Sequence, residues 1–136
     1  MGLNKENLIE EAIKARERAY VPYSRFPVGA AVVTTDGNVY TGCNIENAAF
    51  PVSCCAERVA LFSAIANGEK TFKAMAVVAD SDRPVPPCGS CRQVMSEFFG
   101  NDTTIYLSNL KNQIETLNVE SLLPFSFQPE DLHSAK

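Results

Sequence analysis

The segments Cys55-Ala56-Glu57 and Pro87-Cys88-Gly89-Ser90-Cys91 hold three of the five cysteines of this chain and decide how it is interpreted. Two residues separate the cysteines of the second segment, a spacing typical of zinc ligands. Because zinc usually has four ligands, three protein thiolates leave one position for a water molecule. The glutamate two residues after the first cysteine can move that water's proton. The pattern therefore predicts a hydrolytic zinc site.

Both segments stand at predicted helix starts. Residues 56–66 form an apolar helical stretch closed by Gly68, and a second helix, about 90–99, stops at Gly100. A helix N-terminus exposes unpaired N–H groups and a partial positive charge, which favour the thiolate form of a nearby cysteine. We therefore expect the two helix ends to converge on one metal ion.

The rest of the chain alternates helices and strands. Apolar residues at helical spacing predict a first helix that begins after a possible Asn4 cap and reaches Tyr20, before Pro22. Asp36-Gly37 lies between two β-rich runs and indicates a hairpin. The predicted strands are 28–34, 38–41, 73–79 and 104–108, and 119–123 is a short helical turn. This order predicts an α/β sandwich of mixed sheet with helices on both faces.

Length and composition indicate one folded domain. The 136 residues are 46% hydrophobic and 21% charged, so we expect a single domain over 1–136, with about 129–136 as a loose tail. No run approaches the roughly 18 to 20 apolar residues of a membrane span. Charges within the first six residues argue against a signal peptide. A cytoplasmic protein is expected.

Net charge and cysteine content limit the classes of binding partner and the roles that the cysteines can have. The net charge of −4 disfavours nucleic-acid binding and suits a small substrate. Five cysteines without the spacing of a secreted scaffold indicate metal ligands or core residues more than disulfides. We interpret Cys43 and Cys54 as small buried side chains. Two alternatives remain: Cys54 competes as a ligand, or Cys43 completes a structural site.

Positive charge near the metal is a further expectation. Three thiolates and Zn²⁺ sum to −1, which raises the pKa of a bound water unless a cation offsets it. We hypothesise that the Arg58 guanidinium donates to the ligand sulfurs, with Arg92 as a second option. His133, the only histidine, lies in the polar tail, which disfavours histidine acid–base or Ser-His-Asp chemistry.

Beyond the zinc motifs, Cys43-Asn44-Ile45-Glu46-Asn47, Tyr-Val-Pro-Tyr-Ser-Arg-Phe at 20–26 and Leu-Leu-Pro at 122–124 extend the pattern. With them the chain resembles the short, free-nucleoside cytidine deaminases almost from end to end. The resemblance implies a three-layer α/β/α sandwich with a mixed five-stranded sheet and one Zn²⁺ per subunit. It also implies deamination of cytidine and 2′-deoxycytidine in pyrimidine salvage, by a homotetramer whose sites include residues from neighbouring subunits.

Site residues follow from the matching positions. Glu57 is expected to take the water's proton, protonate the ring nitrogen and deliver a proton to the leaving ammonia. The resemblance implies that Asn44 and Glu46 hold the ribose 3′-hydroxyl and that Phe26 packs against the base. It also suggests that the backbone N–H of Ala56 binds the pyrimidine carbonyl.

Three phenylalanines need separate comment, because two depart from the family's pattern and one matches a residue near another subunit's site. Phe50 stands where such enzymes commonly have Tyr, which removes one hydroxyl from the substrate region. Phe127 matches an aromatic residue that the family brings near another subunit's site. Phe125 replaces the usual small residue. We expect the Phe50 departure to weaken binding modestly without loss of the reaction.

Three rival functions stay open. A deaminase of a modified or antibiotic nucleoside would keep the zinc ligands and alter the sugar contacts. A polynucleotide-editing enzyme is disfavoured by the acidic charge. A non-enzymatic module would use Cys88 and Cys91 for structural zinc or a disulfide. Exchange of Glu57 for Gln discriminates, because only the enzyme has turnover to lose.

Overall fold

The computed structural model describes residues 4–134, with side chains up to residue 132, and contains one five-stranded sheet. The strands are β1 (Val28–Thr34), β2 (Val39–Cys43), β3 (Phe72–Ala79), β4 (Thr104–Asn109) and β5 (Ile114–Leu117). Their order is β2-β1-β3-β4-β5. Only the β3–β4 pair is parallel among these neighbours. The predicted mixed five-stranded sheet is confirmed.

Helices cover both faces of this sheet. They are α1 (Lys5–Arg16), α2 (Ala56–Ala66), α3 (Gly89–Phe98), α4 (Val119–Leu122) and α5 (Pro129–Ser134), with a 3₁₀ turn at Phe50–Val52. Alternate residues of β1 face opposite layers: Ala31 and Val33 belong to the α1 cluster, whereas Ala30 and Val32 join the α2 and α3 cluster. The fold is therefore the predicted α/β/α sandwich. Among the residues with described coordinates, no helix is long and apolar enough to cross a membrane.

Two glycines bring the helices close to the hairpin. A Cβ atom at Gly29 would lie 1.9 Å from the carbonyl oxygen of Ala12 in α1. A Cβ atom at Gly42 would lie 2.4 Å from the backbone nitrogen of Ala60 in α2. Because both neighbours are backbone atoms, glycine is required for this approach. Gly42 thereby seats α2, and the site at its start, directly on β2.

The structure corrects two details of the sequence interpretation. The first helix ends at Arg16, not at Tyr20. Tyr20 instead pairs with the segment after β2: its N–H donates to Asn44 O at 3.0 Å, and its carbonyl accepts from Glu46 N–H at 2.9 Å. Strand β5, residues 114–117, is absent from the four strands that the sequence patterns located.

The tail also differs from expectation. Residues 129–134 form α5, where the sequence predicted a loose segment. Proline at the first helical position and two acidic residues in the first turn suit a helix start. The Gln128 N–H also donates to the Asp131 carboxylate at 2.7 Å. Residues 135–136 and the His133 side chain lie outside the described part, and the single-domain organisation stays a prediction.

Candidate active site

Three thiol groups meet where two helices begin. Cys55 is the N-cap residue of α2, Cys88 is the N-cap residue of α3, and Cys91 lies in the first turn of α3. Cys88 Sγ lies 3.6 Å from Cys55 Sγ and 3.4 Å from Cys91 Sγ. All three sulfurs lie within 4.8 Å of one another. The two helix ends therefore converge as predicted.

The spacing of these sulfurs fits a zinc ion. Tetrahedral zinc with Zn–S bonds of about 2.3 Å separates its sulfur ligands by about 3.8 Å, close to the values found here. A disulfide would need about 2.05 Å, and all five cysteines are free. The metal-ligand group found within residues 4–132 includes neither Cys43 nor Cys54. The donor set is thus three thiols, which leaves one zinc position for a further ligand.

The charged neighbour of this group is Arg58. Its guanidinium donates from Nη2 to Cys55 Sγ at 3.4 Å, as the hypothesis for this residue requires. A hydrogen bond from Cys91 and the Arg58 contact lower the pKa of the Cys55 thiol to about 5, against an opposing effect of burial. A thiolate at Cys55 is therefore the favoured form near neutral pH, as metal binding requires.

Arg58 is itself held tightly. The hydrogen bond to Cys55 raises its pKa further, so the guanidinium stays charged. Its Nε atom is buried and has no hydrogen-bond partner in the described part of the chain. Arg92, the second option, contacts no ligand sulfur in the bonds found: it donates to Pro87 O and Leu122 O, each at 2.8 Å. Arg92 therefore ties the loop before α3 to α4, and that option is wrong.

Glu57 lies beside the thiols in the first turn of α2. Its side chain is buried, with 6% of the residue exposed. Burial is the main reason that the pKa of this carboxyl rises to about 7, and the nearby Cys55 raises it further. A carboxyl with a pKa near neutrality can both accept and release a proton under working conditions.

A cavity of about 240 Å³ opens onto this chemistry. Three of the residues predicted to contact a substrate, Phe26, Asn44 and Ala56, line it. It is also lined by Cys55, Glu57, Cys88, Val28, Val77, Ala79, Val85, Pro86 and Ser108. The structure thus brings two of the three thiols, Cys55 and Cys88, and these substrate-contact candidates to one small cavity. A larger opening of about 470 Å³, between α3 and the C-terminal segment, is lined by no cysteine.

Glu46 and Phe50 line a neighbouring opening, together with Tyr23, Ser24 and Ser53. Both Glu46 oxygens accept hydrogen bonds, from the N–H groups of Tyr23 and Ser24 at 3.1 Å and from the Ser24 hydroxyl. The Phe50 ring lies 5.9 Å from the Tyr23 ring in an edge-to-face arrangement. These residues lie outside the cavity itself, and Ser24 connects them to it by accepting a hydrogen bond from the N–H of Phe26, which lines the cavity.

Phe127, like Glu46 and Phe50, is a predicted substrate contact that does not line the cavity. It is 56% exposed, and its carbonyl accepts a hydrogen bond from Gln93 Nε2 at 3.0 Å. It is absent from the residues that line the cavity. The geometry therefore does not favour a role for Phe127 at the site of its own chain.

Several lining residues were missed by sequence reasoning. Val77, Ala79 and Ser108 lie toward the carboxyl ends of β3 and β4, the parallel pair. Ligands commonly bind at the carboxyl ends of parallel strands, so the strand positions carried a usable signal. Val85 and Pro86 come from the proline-rich loop after β3, for which the sequence offers no comparable signal.

Residues 3–108 match the family described as "Cytidine and deoxycytidylate deaminase zinc-binding region". The chain belongs to this family. Membership agrees with the geometry, because the matched region contains the three thiols, Glu57 and the cavity. The resemblance drawn from the motifs is confirmed, and the region that matches is the zinc-binding region of this family.

Similar proteins cover nearly the whole of this deaminase-family chain. A cytidine deaminase of Sporosarcina psychrophila is 55% identical over 133 residues, 98% of each chain. A cytidine deaminase of Halalkalibacterium halodurans is 54% identical, over 96% of this chain and 99% of the relative. The crystal structure of cytidine deaminase from Burkholderia pseudomallei superimposes with a TM-score of 0.89 at 48% identity, covering 91% of this chain and 99% of the other.

Proposed function

We propose that this chain is a zinc-dependent cytidine deaminase, a hydrolase that converts cytidine and 2′-deoxycytidine to uridine and 2′-deoxyuridine with release of ammonia. The observation that carries this proposal is the buried Glu57 beside three converging thiols, facing a cavity that Phe26 and Asn44 also line. Family membership and relatives named cytidine deaminase support it.

Cys55, Cys88 and Cys91 are the residues that would hold Zn²⁺. When bound there, zinc supplies the Lewis acidity that makes water a nucleophile near neutral pH. Glu57 accepts the proton of the attacking water and passes it to the ring nitrogen of the base. It then takes the remaining proton from the new hydroxyl on C4 and delivers it to the amine, which leaves as ammonia while the C4 carbonyl forms. The balance is one nucleoside and one water to one deaminated nucleoside and one ammonia.

The base is held by Phe26 and Ala56 in this proposal. Ala56 is the first residue of α2, and N–H groups of a first helical turn have no partner within the helix. Its N–H is therefore available to the pyrimidine carbonyl, and the helix start favours a partial negative charge there. Phe26 offers an aromatic face to a flat ring.

The sugar is assigned to Asn44 and Glu46. The Asn44 amide already donates to Phe26 O and accepts from Val28 N–H, each at 2.9 Å. An amide has two N–H donors and two lone pairs on its oxygen, so one of each is left for a hydroxyl group. This arrangement supports recognition of an ordinary ribose over a nucleoside with an altered sugar.

Assembly, pathway and location are further parts of the proposal. We assign the chain to a homotetramer with shared sites, to pyrimidine salvage and to the cytoplasm. Large exposed apolar side chains, among them Phe50, Phe125 and Phe127, support association between copies. The net charge of −4 supports a free nucleoside in place of nucleic acid as substrate. Light scattering of the purified protein tests the assembly.

The decisive experiment follows cytidine turnover by the absorbance decrease at its band while zinc is titrated into metal-depleted protein. Turnover should rise in proportion to bound zinc and reach its limit at one zinc per chain. The Glu57→Gln variant should bind the same amount of zinc and turn over at least roughly a hundredfold more slowly. Zinc-loaded parent protein without turnover of cytidine or deoxycytidine would contradict the proposal and favour a modified nucleoside or a structural site.

A further inference from the structure

The hydroxyl group of Ser24 connects two parts of the site that the sequence treats separately. It donates to Glu46 Oε2, on the sugar side, and accepts from the N–H of Phe26, on the base side, at 3.1 Å. The hydroxyl thus acts as a donor toward Glu46, which is assigned to the sugar, and as an acceptor toward Phe26, which is assigned to the base. Glu46 lies 22 residues away in sequence, so this is a tertiary contact.

The backbone between Ser24 and Phe26 needs such support. Arg25 has a φ of 56°, in the left-handed region that residues other than glycine rarely adopt. Its N–H closes a turn by donating to Val21 O at 3.0 Å. A conformation of this kind persists when surrounding contacts enforce it. The Ser24 hydroxyl is one of these contacts, because it bonds the N–H on the far side of Arg25.

Asn44 is hydrogen-bonded to the other end of the same loop. Its Nδ2 donates to Phe26 O at 2.9 Å, and its Oδ1 accepts from Val28 N–H at 2.9 Å. Phe26 is therefore fixed at its N–H by Ser24 and at its carbonyl by Asn44. These bonds hold the Phe26 backbone on both sides, and the Phe26 N–H in turn holds the Ser24 hydroxyl in place.

Glu46 has acceptor capacity to spare in this arrangement. It receives three hydrogen bonds, two at Oε1 and one at Oε2. An ionised carboxylate offers about four acceptor sites, so one remains, on Oε2. The hydrogen bond from Ser24 is also the main reason that the pKa of this carboxyl is lowered, which keeps it ionised and an acceptor. A sugar hydroxyl is a donor that suits this last site.

We propose that Ser24 is a positioning residue, whose hydroxyl, held in place by the Phe26 N–H, orients the free acceptor site of Glu46 toward the 3′-hydroxyl of the nucleoside. This inference rests on the proposed function. Without the hydroxyl, Oε2 loses the donor that orients it, and the carboxylate turns about its bonds to the loop N–H groups. Affinity for the sugar then falls, whereas proton transfer at Glu57 is untouched.

The test compares Ser24→Ala with Ser24→Thr on cytidine and on 3′-deoxycytidine. Ser24→Ala should raise KM for cytidine roughly three- to tenfold, the worth of one hydrogen bond, with kcat within about twofold. KM for 3′-deoxycytidine, which lacks the hydroxyl that Glu46 would bind, should change much less. Ser24→Thr keeps the hydroxyl at an exposed position and should restore KM for cytidine.

Ser121→Ala is the matched control. Ser121 is also exposed, and its hydroxyl also bonds in two directions, but with Asn118 at the start of α4. It lies outside the residues that line the cavity, so both KM values should stay at the parent level. An equal KM rise for both substrates in Ser24→Ala, or a Ser24→Thr variant no better than Ser24→Ala, would overturn the inference.

The inference and the proposed function fail separately. Equilibrium binding of uridine and 3′-deoxyuridine repeats the comparison without turnover, and the Ser24→Ala loss should be confined to uridine. A parent inactive on cytidine contradicts the proposed function. Parent turnover with no difference between the two nucleosides in Ser24→Ala contradicts the inference alone.

Discussion

The two ends of the cavity are built by different means. The zinc end (Cys55, Glu57, Cys88 and Cys91) lies on the first turns of two helices, against the core between α2, α3 and the sheet. The region to which sugar binding is assigned in our proposal, called here the sugar end (residues 20–28 with Asn44 and Glu46), is more exposed and is held by hydrogen bonds between segments 16 to 23 residues apart. The core fixes the zinc end, whereas individual polar contacts fix the sugar end. Changes at the first should therefore affect rate and folding, and changes at the second should affect affinity.

The largest expected effect comes from breaking the zinc end at Cys91. This residue is fully buried, and its sulfur lies 3.4 Å from that of Cys88. Cys91→Ser should lose most bound zinc, and turnover should fall at least roughly a hundredfold, because several kcal/mol of metal catalysis disappear. Metal analysis with a cytidine assay measures both. Cys43→Ser, outside the metal group, is the control and should keep both. Full zinc and turnover in Cys91→Ser would refute the ligand assignment.

Crowding the contact under α2 should disturb the zinc end through the fold. A Cβ atom at Gly42 would lie 2.4 Å from Ala60 N and 2.8 Å from Ala56 O, so α2 must move. Gly42→Ala should lower the free energy of unfolding by about 1–3 kcal/mol, measured by denaturant titration, and reduce turnover. At Gly89 an added Cβ meets nothing within 4 Å, so Gly89→Ala should leave stability unchanged or slightly higher. Equal stability of the two variants would show that the close approach is not required.

Removal of the Arg58 charge should make zinc binding more sensitive to acid. Beside the Cys91 hydrogen bond, Arg58 lowers the pKa of Cys55, to about 5. In Arg58→Gln this pKa rises, so protons compete with zinc at a higher pH. The pH at which half the zinc is lost should rise by about one unit, as followed by a chromophoric chelator. Arg92→Gln, whose parent residue bonds carbonyl oxygens, should not shift this midpoint. The same shift in both variants would argue against a specific role for Arg58.

The smallest effect is expected at the edge of the sugar end. Phe50 lines the opening beside Glu46, at a position where the resemblance described under Sequence analysis implies a tyrosine hydroxyl. Phe50→Tyr should lower KM for cytidine by roughly two- to tenfold through one added hydrogen bond, with kcat unchanged. Phe62→Tyr, another exposed phenylalanine, controls for the exchange itself. An equal decrease of KM in both variants, or no decrease in Phe50→Tyr, would show that a hydroxyl at position 50 does not bind the substrate.

The zinc end was predictable because its information is local. Cys55 and Glu57 lie within one helical turn, as do Cys88 and Cys91, and the apolar pattern marks both helix starts. Spacing within a turn fixes which side chains share a face. The meeting of the two helix starts, with 3.6 Å between the Cys55 and Cys88 sulfurs, depends on the tertiary fold. It was predictable only through the resemblance to a known family.

The sugar end was less predictable because its contacts are long-range. Nothing near Ser24 in sequence identifies Glu46 as its partner, and the left-handed backbone at Arg25 has no glycine to signal it. The helical pattern up to Tyr20 was misleading, because pairing of its backbone with Asn44 and Glu46 outweighs local propensity. Strand β5 is short, and its two central residues are exposed, so alternation of burial is weak there.

If the zinc end sets the rate and the sugar end sets the affinity, Glu57→Gln and Asn44→Ala should separate kcat from KM for cytidine, and both constants should be measured together with the zinc content of each variant. Both variants should keep zinc at the parent level. Glu57→Gln should lose turnover while still binding uridine, and Asn44→Ala should raise KM roughly tenfold with kcat within a few-fold of the parent. Loss of kcat in Asn44→Ala as large as in Glu57→Gln, or loss of zinc from Glu57→Gln, would contradict this account.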